Sequence, residues 1–211
     1  MKLYSYWRSS CSYRVRIALA LKGQAFETIP VHLVKGEQRE ANYGAVNPSN
    51  YVPTLELDDG TRLTQSLAII DWIDATWPAP PLLPKDARAR SRVLAASHII
   101  AADVQPVTNS GVVSVLKREL GASDKEGIAW MDHWMEKGFG AFQNTIDPSG
   151  TFCFGDTPGL ADLCLIPQLY NAHRWGVDLS PFARLTEIEA RCLDIPAFGN
   201  ARPEAQPDAH A

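Results

Sequence analysis

The residues with the clearest chemical potential form one short run near the start, Arg8-Ser9-Ser10-Cys11-Ser12. It separates an aromatic-rich stretch from a helical pattern, so it falls where a helix begins. Backbone N–H groups at such a point are unpaired, and the helix dipole favours negative charge there. A thiolate held in that position has a lowered pKa and is nucleophilic near neutral pH. Serine hydroxyls at the same place either face a bound anion or merely cap the helix, and spacing alone leaves both readings open. Of the four cysteines, Cys11 is the one in a polar, helix-initiating setting. Cys164 sits within Leu163-Cys164-Leu165-Ile166 and Cys153 between two phenylalanines, as buried structural thiols do. With serine on either side, Cys11 has no CxxC partner, so thiol chemistry here calls for a second, diffusible thiol.

Two further features could hold a ligand. Val52-Pro53 enters a strand, where proline cannot donate to the ladder. A turn-like entry suits a cis bond that would offer the Val52 N–H and C=O to a peptide-like ligand, and an ordinary trans edge proline is the alternative. Gln65-Ser66 opens a helix and can hold a carboxylate through the Ser66 hydroxyl and free N–H groups, or can simply cap. None of the five histidines is paired at i, i+4, and no metal is assigned.

The elements that position these residues are legible in the pattern. Lys2 to Tyr6 reads as a strand. Val15, Ala18, Leu19 and Lys22 follow helical spacing, and Gly23 stops that helix. Phe26 to Val31 is a second strand, completing a βαβ unit. Val52 to Leu57, the turn Asp58-Asp59-Gly60, and Thr61 to Leu63 form a hairpin. The helix opened by Gln65-Ser66 carries Leu67, Ile70, Ile73 and Trp77. This β-α-β, β-β-α order fits a thioredoxin-type α/β sandwich over 1–80. Thr76 to Pro84 holds four prolines in nine residues and ends the helix, giving a linker at 81–86. From 87 to 211 the chain reads as all-α: 87–109 bent or ended near Pro106, then 124–145, 160–174 and 188–193, with an exposed tail from Gly199.

A chain of 211 residues, 45% hydrophobic, can bury a sizeable core. The net charge of −4 with dispersed basic residues gives no footprint for nucleic acid. The start is too short an apolar run for a secretory signal, and no stretch is expected to reach the roughly 20 apolar residues of a membrane span. Widely spaced cysteines point to a reduced, cytoplasmic setting.

The segment Tyr4 to Leu19 resembles the signature of zeta-class glutathione transferases, a group that includes maleylacetoacetate isomerases. The likeness continues through Asn47-Pro48, Val52-Pro53-Thr54-Leu55, Leu63 to Ile70 and Pro81-Leu82-Leu83-Pro84. It extends to Gln105-Pro106, Asn109, Phe154-Gly155-Asp156, Leu160-Ala161-Asp162 and Asn171-Ala172-His173-Arg174. The resemblance implies a thioredoxin-like glutathione-binding domain, a helical-bundle substrate domain and a homodimer. It implies glutathione as cofactor, with Ser9, Ser10 and Cys11 at the thiol and Ser9 bonding its sulfur. Val52 and Pro53 would meet the cysteinyl backbone, Gln65 and Ser66 the γ-glutamyl end, and Gln38, Gln105 and Asn109 further atoms. Arg8 and Arg174 match basic residues near the carboxylates of a small dicarboxylate keto acid.

The activity so implied is cis–trans isomerisation of 4-maleylacetoacetate to 4-fumarylacetoacetate in aromatic-compound or tyrosine breakdown, the thiol being recycled. Alternatives are the maleylpyruvate isomerase of gentisate breakdown, or glutathione transfer to small α-halo acids. Two positions depart from the pattern. Gly159 stands where a Ser or Thr cap is usual, which implies lower stability rather than another fold. Ser110-Gly111-Val112-Val113 lacks the arginine that maleylpyruvate isomerases carry there, which favours maleylacetoacetate.

Overall fold

The computed structural model describes residues 1–209 and contains the expected β-α-β, β-β-α order at its start, with further helices that were not expected. One unit comprises Met1–Leu82 and the segment from Leu193 onward; the other is Leu83–Cys192. In the first, β1 (Lys2–Ser5), α1 (Ser10–Leu21), β2 (Glu27–Pro30), a short α2 (Ala41–Gly44), β3 (Thr54–Glu56), β4 (Arg62–Thr64) and α3 (Ser66–Thr76) follow in order. The sheet runs β2-β1-β3-β4. β1 is parallel to β2, with Lys2 opposite Glu27, and antiparallel to β3, with Leu3 opposite Leu55. The β3–β4 turn uses Gly60 at φ 85°, a left-handed conformation open to glycine, while Asp59 Oδ1 accepts the Thr61 N–H at 2.8 Å. Leu3, Leu55, Val15, Ile17, Leu19, Ile69, Ile70 and Ile73 are fully buried and form the core between sheet and helices.

One expectation for this unit is extended and another corrected. The helical spacing of Val15, Ala18, Leu19 and Lys22 marks part of the buried surface of α1, yet the helix is buried almost all round, Arg14 and Arg16 included. The cause is a second cover: α10 (Pro196–Asn200) and the chain after it pack against α1, as α3 does. The tail expected to be exposed from Gly199 therefore contributes buried Ala201, Gln206 and Asp208. Its composition is polar because its polar groups are used internally. Arg16 donates from Nε to the Ala201 carbonyl (3.1 Å), from Nη1 to Ser5 Oγ (3.2 Å) and from Nη2 to the Trp7 carbonyl (3.0 Å). Asp208 Oδ2 accepts the Trp7 N–H at 3.0 Å. The proline-dense stretch is fastened similarly: Lys22 Nζ pairs with Asp74 Oδ1 (2.7 Å) and donates to the Pro80 carbonyl, and Asp74 Oδ1 also accepts the Leu82 N–H.

The second unit is helical. α4 (Ala87–His98) starts at Asp86, whose carboxylate accepts the Ala89 N–H. A π-helical turn, Ile99–Val104, and the short α5 (Gln105–Val107) follow. The widened turn lies just before Pro106, whose ring would clash with a carbonyl one turn back in a regular helix. Then come α6 (Ser110–Leu120), α7 (Asp124–Gln143), α8 (Leu160–Trp175) and α9 (Ala183–Leu193). Gly138 of α7 lies against the π turn so closely that a Cβ there would sit 2.0 Å from Val104 Cγ2. Against the expectation from composition, Ala87–Leu120 contains an 18-residue window of mean hydropathy 1.3, enough by length and composition to cross a membrane. Extended backbone at Asn109 (ψ 140°) interrupts that stretch, and Ile100 and Val104 are buried.

Candidate active site

The run Arg8–Ser12 occupies the strand-to-helix junction that its residue types suggested. Ser9 is the N-cap of α1: its Oγ accepts the Ser12 N–H at 3.2 Å, and its carbonyl accepts the Tyr13 N–H at 2.8 Å. Capping and ligand binding are compatible here, because an accepting hydroxyl still has its own proton to donate. Ser10 opens the helix and is mostly buried, while the Cys11 thiol is free and partly exposed. Arg8 is steered by aromatic neighbours, with Nη2 3.1 Å from the Tyr6 hydroxyl and its guanidinium carbon 4.7 Å from the Trp7 ring centroid. Trp7 in turn has its N–H on Asp208 and its carbonyl on Arg16, so the residue preceding Arg8 is held on both sides.

Val52 joins this end of the sheet through one apolar cluster: Tyr6, Val31, Tyr43 and Val52, with Tyr4 and Trp7 against it. The Tyr51 carbonyl is held by two donors, the Tyr43 hydroxyl at 2.6 Å and Asn47 Nδ2 at 2.8 Å. Burial holds the Tyr43 phenol above its ordinary pKa, offset in part by its bonds to Thr54 and Asn47, so it stays a donor. The Tyr51–Val52 peptide is trans, hence its N–H is antiparallel to its C=O and points away from those two donors. The Val52–Pro53 bond is cis, as is Ala79–Pro80.

Gln65 and Ser66 lie at the start of α3. Gln65 has φ 66° and ψ 110°, an uncommon conformation for a residue with a side chain, of the kind that clusters at ligand sites. No side chain caps this helix, and its first main-chain bond is from the Ile69 N–H to the Gln65 carbonyl. The N–H groups of Ser66, Leu67 and Ala68 thus form an open set of donors. Ser66 Oγ lies 3.5 Å from Nη1 of Arg14 on α1, which ties this helix start to the one carrying Ser9–Cys11. Gln38 is in a separate 3-10 turn, Glu37–Arg39, with Oε1 buried and unpartnered.

The remaining expected residues belong to the second unit. Gln105 opens α5 directly after the π turn, and its N–H reaches the Ile100 carbonyl. Asn109 caps α6 through its Oδ1 and the Gly111 N–H at 2.8 Å. Arg174 is exposed in the last turn of α8, 3.5 Å from Asn171 Oδ1 and stacked near the Trp175 ring. Asp162, at the other end of α8, is buried and accepts N–H groups from Cys153 and Gly159, each at 2.9 Å. Desolvation raises its pKa despite those bonds. Residues that sequence reasoning gave no role are Arg14, Tyr43 and Asp208; Arg14 and Asn47 fall within the quoted stretches Tyr4 to Leu19 and Asn47-Pro48, where the resemblance assigned them nothing.

The donors in the first unit fit a peptide-like anion. Open N–H groups and a hydroxyl at α3, the Val52 N–H, and hydroxyls at the start of α1 match a carboxylate, a backbone and a sulfur respectively. This is the class of site built on a thioredoxin-like sheet, and the model for the glutathione S-transferase N-terminal domain matches residues 8–76. A probable maleylacetoacetate isomerase of Vibrio cholerae is 44% identical over 98% of this chain and 97% of its own. A bacterial zeta-class maleylpyruvate isomerase, solved in its holo form, superposes with a TM-score of 0.96 at 42% identity, covering 99% of this chain and all of that one. The maleylacetoacetate isomerase of Anaeromyxobacter dehalogenans, solved with dicarboxyethyl glutathione and citrate in its active site, gives 0.89 at 40% identity over 100% and 97%. The chain belongs to the zeta-class glutathione transferases, the group of the maleylacetoacetate and maleylpyruvate isomerases.

Proposed function

We propose that the chain is a glutathione-dependent cis–trans isomerase that converts 4-maleylacetoacetate to 4-fumarylacetoacetate. The observation that carries this reading is the intact Arg8–Ser12 junction, with Ser9 capping α1 and Cys11 partly exposed, in a chain aligned end to end with isomerases of that name. Glutathione, when bound, supplies a nucleophilic sulfur whose reversible addition to the activated cis double bond lets that bond rotate. The chain's part is to bind, orient and polarise. The Ser9 hydroxyl and the N–H groups at the start of α1 favour an ionised sulfur. Val52 offers its N–H to the cysteinyl backbone, with Pro53 completing that wall. Gln65 and Ser66 take the γ-glutamyl end, with Gln38, Gln105 and Asn109 as further contacts. Ser10 and Cys11 line the sulfur's position, and Arg8 and Arg174 bind the carboxylates of a small dicarboxylate keto acid and favour the enolate charge that develops on it.

The absence of arginine from 110–113 favours maleylacetoacetate over maleylpyruvate, whose isomerases resemble this chain as closely. The same site could take small α-halo acids with halide loss, at lower kcat/KM. A homodimer and a reduced cytoplasmic setting, consistent with four free cysteines, complete the reading; light scattering tests the first. The direct test offers the ring-cleavage products of homogentisate and gentisate side by side, with and without glutathione. Faster turnover of the homogentisate product, and only with glutathione, supports the proposal. Turnover unchanged without glutathione removes it.

A further inference from the structure

Among the described residues, Arg14 is a cation without a counter-charge. It is 1% exposed, its Nε and Nη2 have no hydrogen-bond partner, and its one polar contact is the 3.5 Å approach of Nη1 to Ser66 Oγ. Among the described residues no carboxylate pairs with it. Buried charges are ordinarily paired and buried donors ordinarily bonded, so a guanidinium left this way marks a place where something else brings the acceptor. Its neighbour Arg16 makes the contrast, with all three of its nitrogens bonded inside the chain.

We infer that Arg14 is the positioning residue for the carboxylate end of the ligand held at the start of α3, supplying the buried positive charge that this anion neutralises. The inference rests on the glutathione reading above and deepens it. Arginine can only donate, so toward Arg14 the Ser66 oxygen is an acceptor and its own proton is turned to another partner. That proton, the unpaired N–H groups of Ser66, Leu67 and Ala68, and the field of the guanidinium all favour a negative group at one point. Among the chemical groups of glutathione this is the carboxylate beside its free amine, and α3 is uncapped because that anion does the capping.

The test uses glutathione and γ-aminobutyryl-cysteinylglycine, which lacks only that carboxylate, titrated calorimetrically into the full chain and its Arg14→Met and Arg14→Lys variants. The parent chain is expected to bind glutathione about ten- to a hundredfold more tightly than the analogue, the range of a charge-assisted hydrogen bond. Arg14→Met is expected to lose most of that preference while binding the analogue as before, and Arg14→Lys to regain part of it. A variant that weakens both ligands equally, or neither, overturns the role of Arg14 alone. A parent chain that binds glutathione without preferring it to the analogue overturns the anion site, and one that binds neither overturns the proposed function as well. Should Arg14→Met fail to fold, the 15N resonance of the Arg14 Nε–H in the parent chain decides: it must shift with glutathione and stay with the analogue, and equal shifts contradict the inference.

Discussion

Replacing Arg16 with methionine keeps the apolar stem and removes the guanidinium. The change strands the Ala201 carbonyl, Ser5 Oγ and the Trp7 carbonyl, three acceptors now bonded at 3.0–3.2 Å in a residue only 2% exposed. A charge-assisted bond is worth about 1.5–3 kcal/mol, and three sharing one group are less than additive. Removing the charge also relieves its own desolvation, so the expected net loss is about 3–5 kcal/mol. That is a large share of the roughly 5–15 kcal/mol typical of a folded chain. Arg14→Met, two residues away in the same helix, gives up one contact at 3.5 Å and an unpaired buried charge, and without ligand should cost under about 1 kcal/mol. Urea unfolding followed by tryptophan fluorescence measures both. A loss below about 1 kcal/mol for Arg16→Met, or equal losses for the two variants, would refute the reasoning that bonded nitrogens, not burial alone, set the cost.

Other outcomes follow from single contacts. Asp208→Ala leaves the Trp7 N–H without its acceptor and should cost about 1–2 kcal/mol in the same unfolding assay, with a fall in turnover because Trp7 precedes Arg8. Gly159 is extended at φ −132°, a backbone conformation open to serine, and Gly159→Ser should add a few tenths of a kcal/mol, seen as a melting point raised by about 1 °C. Asp162→Asn removes a carboxyl whose pKa is raised in the fold by burial. A raised carboxyl contributes stability below its unfolded pKa and loses it as pH climbs through the folded value, so the advantage of the parent chain over Asp162→Asn should shrink as pH rises above about 4, the ordinary carboxylate range. The lowered carboxyls of Asp59, Asp124, Glu126, Asp147 and Asp178 are exposed, act in the opposite direction, and are common to both chains.

The sequence was most informative where one residue type has one physical use. The polar run at Arg8–Ser12, the hairpin at Asp58-Asp59-Gly60 and the proline cluster after Thr76 each had a local cause, and the strands and helices that flank them fall near the expected positions. α6 was missed because Val112, Val113 and Val115 favour strand, and because this helix is largely exposed, burying only Val113. α9 begins at Ala183, five residues before the expected start, and its buried Leu185, Ile188 and Cys192 lie at helical spacing that extends the stripe one turn earlier. The tail was misread because composition reports polarity and not the location of the partner. Ala201 and Asp208 serve Arg16 and Trp7, nearly two hundred residues away in the chain. For the candidate site, the residues proposed to meet the ligand could be picked from the sequence, and most of those that support them could not. Tyr43 and Asn47 reach the Tyr51 carbonyl through the folding of one loop, and Arg14 reaches Ser66 across 52 positions, only through tertiary packing.

The central claim is that the start of α1 keeps a glutathione sulfur ionised through Ser9. Titrating the ultraviolet thiolate absorbance of glutathione bound to the parent chain and to Ser9→Ala measures this directly. The account predicts a bound thiol ionised well below the ordinary range of about 8.5, with the midpoint displaced upward in Ser9→Ala. A bound thiol that titrates as it does in free solution, or one indifferent to Ser9, would contradict it.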